Sequence, residues 1–283
     1  MVRDRLHAGT GPRLRTRHRQ QLLGVLGLLA LLAAVDQTTE LAGLPGHTGH
    51  TGGLGAVGWA VALTCGLLVH GWVARSLVRW RRPALGAADL ITLGRATLAC
   101  AAAGLAAATM LGSPRTPVLV GLVTLALLLD AVDGPVARRT RSVSVFGGRF
   151  DGEADAFLML VLSAYLAATV GVWVLAIGVM RYAFGAAGWA WPWLRADLPF
   201  RYWRKVVTAV QGIVLTVAAA AVLPPLWTYA ALGGALALLV ESFARDVVWL
   251  WRRRPTARIA PVVSSRHGTQ GLRSATSLSG SLP

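Results

Sequence analysis

Four aspartates crowd into one short stretch of a chain that carries only 12 acidic residues in 283. Asp130 and Asp133 stand three apart, and Asp151 and Asp155 stand four apart. Residues three or four apart share one face of a helix. Each pair therefore forms a small carboxylate cluster, and a hairpin between two helices can bring the clusters together. Four carboxylates in one membrane-edge pocket repel each other and resist ionisation. Shared protons or bound cations relieve that conflict. Oxygen-only donors suit hard ions such as Mg²⁺ or Mn²⁺, and two such ions can clamp a phosphoryl group during its transfer. The residues between the pairs fit a bulky phosphate ligand. Gly134 and Ala137 leave room on the face of Asp130 and Asp133, Gly147 lacks a side chain beside the second pair, and Arg138 offers a planar fork for phosphate. Pro135 removes one helical hydrogen bond, which predicts a kink or a local opening.

The elements that must hold these residues are apolar. The chain is 55% hydrophobic and 14% charged, with mean hydropathy +0.57. Soluble domains run near about 25% charged, so this composition points to an integral membrane protein. Apolar runs predict eight spans, over residues 22–35 extending towards Leu44, then 54–73, 90–111, 118–132, 156–170, 172–191, 206–223 and 226–248. The first run could also be read as the apolar region of a signal peptide. The net charge of +16 is nearly all arginine, with Lys205 the one lysine. Basic residues fall in the N-terminal arm, the loop 74–88, the aspartate stretch, the loop 192–205 and the tail, and the alternate loops contain only Arg115. The positive-inside rule then puts both termini and the aspartates on the cytoplasmic side. Basic charge interleaved with spans fits anionic lipid headgroups, not nucleic acid.

The spacing Asp130-x2-Asp133-Gly134-x2-Ala137-Arg138-x8-Gly147-x3-Asp151-x3-Asp155 resembles the signature of the CDP-alcohol phosphatidyltransferases, with all eight positions matched. The resemblance implies an all-α integral membrane fold. A six-helix bundle would occupy residues 87–250, preceded by a basic arm and two extra transmembrane helices in 1–86 and followed by a disordered basic tail in 251–283. It implies a two-metal centre of Mg²⁺ or Mn²⁺ held by Asp130, Asp133, Asp151 and Asp155, with Asp155 also the general base for the acceptor hydroxyl. Gly134, Ala137, Arg138 and Gly147 would line the CDP site, together with Thr92. The substrates would be CDP-diacylglycerol or a similar CDP-linked lipid and an alcohol, and CMP would be released. Relatives are often homodimers, and the sequence leaves that assembly open. Asp89-x2-Thr92-x2-Arg95 is similar to the family's Asn-x2-Thr-x2-Arg opening of its first helix, with Asp89 in place of Asn. Arg204-Lys205-x2-Thr208-x2-Gln211 is similar to a basic element of many relatives.

Other polar residues have plainer readings. Arg181, inside the sixth span, either pairs with an acid or forms an acceptor-phosphate site with Arg195, Arg201 and Lys205. Glu153 lies off the aspartate face and reads as solvated, and His70 reads as structural. His47 and His50 stand three apart in a Gly- and Thr-rich loop, where a metal role is open but two lone histidines read as solvated. Cys65 and Cys100 sit inside apolar runs as small core residues. Two other function classes remain: a transporter or channel using the acids as a cation path, which predicts acids spread through the spans, and an inactive relative, which predicts an eroded signature.

Overall fold

A computed structural model describes residues 11–41, 54–82, 84–111, 116–196, 198 and 202–253. Among them the chain forms eight α-helices: α1 (Gly11–Leu41), α2 (Gly55–Arg79), α3 (Ala87–Met110), α4 (Thr116–Arg139), α5 (Val145–Ala167), α6 (Leu175–Ala190), α7 (Tyr202–Ala219) and α8 (Pro225–Arg252). Short 3₁₀ turns at Val172–Val174 and Pro192–Arg195 flank α6. No strand occurs among the described residues. The fold is a membrane helical bundle, as the apolar runs require.

Among the described residues six helical segments are long and apolar enough to cross a membrane, where the apolar runs predict eight. The exceptions are α5 and α7. The first three turns of α5 carry Arg149, Asp151, Glu153 and Asp155, and the first turn of α7 carries Arg204 and Lys205. Both helices give up apolar length to hold polar groups at one end of the bundle.

Helix α3 is the axis. Its spanning segment is 72% buried, against 17–28% for the other five candidates, and α1, α2, α4 and α5 all pack on it. Small residues make that possible. The run Ala99 to Ala103 is buried, and a Cβ on Gly104 would meet the Gly58 carbonyl oxygen of α2 at 2.5 Å. Membrane helices associate by such close backbone packing, since lipid supplies no hydrophobic drive between them. Large apolar side chains instead face outward, among them Leu67, Leu68 and Leu226. Cys100 lies in the apolar core and Cys65 packs against it, both as free thiols.

One boundary differs from the sequence reading, which begins the first helical run at residue 22. The basic arm is helical from Gly11, because its Arg, Leu and Gln residues are good helix formers and Pro12 sits in the first turn, where proline is tolerated. At the other end α1 continues through Asp36 to Leu41, in line with the extension towards Leu44, and Asp36 accepts a hydrogen bond from the backbone N–H of Leu54. His47, His50, Arg115, Arg201 and the tail beyond Arg253 lie outside the described residues. His70 is buried, its Nδ1 3.0 Å from Gln21 Oε1, and so links α2 to α1. Helix α4 is continuous across Pro135.

Candidate active site

The hairpin of α4 and α5 turns on residues 140–144. Arg141 adopts φ 51°, the Ser142 N–H reaches back to the Ala137 carbonyl at 3.0 Å, and Ser144 caps α5 by accepting from the Gly147 N–H at 3.0 Å. This turn brings the two carboxylate faces together. Carboxylate oxygens of Asp130, Asp151 and Asp155 lie within 4.8 Å of one another. Asp133 joins them through a shared cation, Arg95 of α3.

Arg95 was a bare motif position in the sequence and becomes the centre of the site. Its side chain is 2% exposed. Nη1 donates to Asp133 Oδ2 at 2.7 Å and to Asp151 Oδ1 at 2.6 Å. Nη2 pairs with Asp130 Oδ1 at 2.7 Å and donates to Asp155 Oδ1. One guanidinium faces four carboxylates, so Arg95 by itself offsets one of their four charges when all ionise. That excess of hard oxygen donors fits divalent ions and gives them a reason to bind. An arginine inside a span is a functional signal by default, and that signal was available in the sequence.

Beside the cluster lies a cavity of about 350 Å³. Gly134, Ala137, Arg138, Gly147 and Thr92, the five residues assigned to CDP, all line it, and so does Lys205. Thr92 donates its hydroxyl to the Ala88 carbonyl. Gly147 has a specific steric reason. A Cβ there would lie 2.7 Å from Asp89 Oδ1. Asp89 cannot retreat freely, because its Oδ2 accepts from the Gly86 N–H and from Arg82 Nη1, each at 3.0 Å. We expect Gly147→Ala to destabilise the protein by about 1–3 kcal/mol, the usual cost of overpacking. Thermal melting in detergent checks this, and an unchanged transition would refute the close contact.

A second cavity, of about 200 Å³, opens between α5, α6, α7 and α8. Asp155, Arg181, Arg204, Gln211 and Asp246 line it. Arg204 pairs with the buried Asp246 at 3.6 Å, and Gln211 donates to the Ala235 carbonyl at 2.7 Å, leaving its Oε1 buried without a partner. Of the residues assigned to the acceptor that are described, Arg181 lines this cavity. Lys205 lines the aspartate cleft and the cavity of Gly134 and Arg138 instead, and Arg195 is exposed, its side chain packed over Gly188. Glu153 is not simply solvated: it accepts from Arg181 at 2.8 Å, with both side chains half exposed. Arg82 and Asp246 were missed as site residues, and Arg204 was named only within the element Arg204-Lys205-x2-Thr208-x2-Gln211. In the sequence Arg82 looked like an ordinary positive-inside charge.

A family model described as CDP-alcohol phosphatidyltransferase matches residues 85–241, more than half of the chain. No curated protein and no solved structure matches it.

Proposed function

The chain belongs to the CDP-alcohol phosphatidyltransferase family, and from that premise we propose that it transfers a phosphatidyl group from CDP-diacylglycerol to an alcohol, dependent on divalent metal. Family membership makes it a membrane transferase of phospholipid-type synthesis in general terms. The observation that carries the finer reading is the convergence of Asp130, Asp151 and Asp155 within 4.8 Å beside a cavity lined by the signature's small residues and Arg138.

Asp130, Asp133, Asp151 and Asp155 would hold two ions, Mg²⁺ or Mn²⁺. When bound, these ions would offset phosphate charge and favour departure of CMP. The chain's own residues do the rest. Gly134, Ala137, Gly147 and Thr92 shape the CDP cavity, and Arg138 meets phosphate oxygens with its fork. Asp155 takes the proton of the acceptor hydroxyl. The acceptor oxygen bonds to the β-phosphorus of the CDP-linked lipid, the bond from that phosphorus to the oxygen bridging to CMP breaks, and CMP leaves with that oxygen. No protein nucleophile is required.

The acceptor belongs on the other side of Asp155, in the cavity of Arg181 and Arg204. Two guanidinium groups there favour a phosphorylated alcohol such as glycerol 3-phosphate or inositol phosphate over serine. The enzyme would lie in the cell membrane with both termini and the site cytoplasmic, as the arginine distribution favours. The cation-path alternative loses ground, because the acids gather in one cluster and are not strung along the spans.

The test is CMP release from CDP-diacylglycerol by purified protein in detergent, with a panel of alcohols. We expect release with Mg²⁺ or Mn²⁺ and its loss with chelator. No release with any alcohol, under conditions where a known relative works, would sink the reading.

A further inference from the structure

We propose that Arg82, contributed by the connection after α2, is a positioning residue of the nucleotide cavity: it neutralises Asp89 and ties the start of α3 to the start of α5. The proposal rests on the reading of that cavity as the CDP site. It gives a role to a residue that lies outside the segment matched to the family.

Asp89 lines the cavity, yet its side chain is only 2% exposed. A buried carboxylate without a cation is strongly unfavourable. At the wall of a diphosphate pocket it would also repel the ligand. Arg82 answers both problems through one atom. Its Nη1 lies 3.0 Å from Asp89 Oδ2 and 3.0 Å from Ser144 Oγ. Asp89 caps α3 through the Gly86 N–H, and Ser144 caps α5 through the Gly147 N–H. Two helix starts on the cavity wall therefore share one guanidinium.

The anchor continues into the extra helices. The Arg82 guanidinium carbon lies 5.4 Å from the centre of the Phe146 ring. Phe146 stacks on Trp72 of α2 at 6.2 Å, and Trp72 meets Phe150 at 5.7 Å. Phe146 and Phe150 stand on α5 beside Gly147 and Asp151. Helix α2 thus braces the helix that carries the second aspartate pair, and its following connection supplies the charge that Asp89 needs.

The experiment measures CDP binding to the full-length protein in detergent with Mg²⁺, alongside KM and kcat for CMP release. Arg82→Ala is expected to weaken CDP binding and raise KM by about tenfold or more, with a smaller change in kcat, because it leaves Asp89 buried and unpaired. Adding Asp89→Asn is expected to restore binding to within about threefold of wild type, since a neutral amide needs no cation; such coupling is what a double-mutant cycle reads. Arg82→Lys should retain most binding. A loss of stability alone would lower the melting temperature without raising the KM of the protein that stays folded, so melting is measured beside CDP affinity and KM. Wild-type binding in Arg82→Ala, or a double variant no better than the single, overturns the proposal. If Arg82→Ala does not fold, the double variant decides: it must fold and bind CDP. If the wild-type protein itself binds no CDP, the nucleotide reading fails first and takes the proposal with it.

Discussion

Asp155→Asn is expected to cut CMP release by about 10²–10⁴-fold, the range a general base contributes, while CDP still binds. Asp155 holds a position that the other three aspartates lack. It lines the cleft shared by Asp130, Asp133 and Asp151, and it also lines the cavity of Arg181 and Arg204. Asp151, by contrast, lines the nucleotide cavity and that cleft. A carboxylate between the two compartments is placed to take a proton from one substrate as it attacks the other. Asparagine keeps the shape and one acceptor oxygen but cannot take that proton. Nucleotide binding, which we propose rests on Gly134, Ala137, Arg138 and Gly147, should therefore survive. Single-turnover CMP release together with direct CDP binding separates the two effects. Wild-type turnover would remove Asp155 as base, and loss of CDP binding would make it chiefly a ligand-holding residue.

The largest effect on folding is expected at Arg95. Arg95→Met keeps an unbranched apolar stem but removes the one cation that faces all four aspartates. Breaking a buried pair costs about 3–5 kcal/mol, because the partner charges stay behind. Here four partners stay behind, so protonation or cations must replace the guanidinium. In chelator, the variant should melt well below wild type. Added Mg²⁺ or Mn²⁺ should raise its melting temperature more than that of wild type, because the ions then supply charge that Arg95 supplied. Equal melting of the two proteins in chelator would mean that the four contacts carry little net energy. An equal metal response would mean that the ions bind elsewhere.

Some of the site was legible from local spacing. Positions three and four apart on a helix share a face whatever surrounds it, so the pairing of Asp130 with Asp133 and of Asp151 with Asp155 followed from numbering alone. The same holds for the apolar runs that became helices, and for the charge breaks that placed the polar ends of α5 and α7. The family followed from eight residues at fixed spacing, and the match over 85–241 agrees with it.

The helix boundaries were less legible. The stretch from Gly11 to Gln20 lies outside the apolar run that marked the first helix, yet charge by itself does not stop a helix. Glu153 was read as solvated because it faces away from the aspartates, but the face it occupies meets Arg181, 28 residues further on.

Local spacing by itself determined a membrane bundle, two carboxylate faces and a ligand chemistry. Only the tertiary structure decided which cation sits between those faces. Arg95 reaches partners 38, 56 and 60 residues away. It does so because small residues let α3 run through the middle of the bundle, with Gly104 against Gly58. The same packing sets Arg82 against Asp89 and gives Asp155 its place between two cavities. Helical period fixes directions within one element. Which elements face each other depends on how closely their backbones can approach, and that is a property of side chains far apart in the chain.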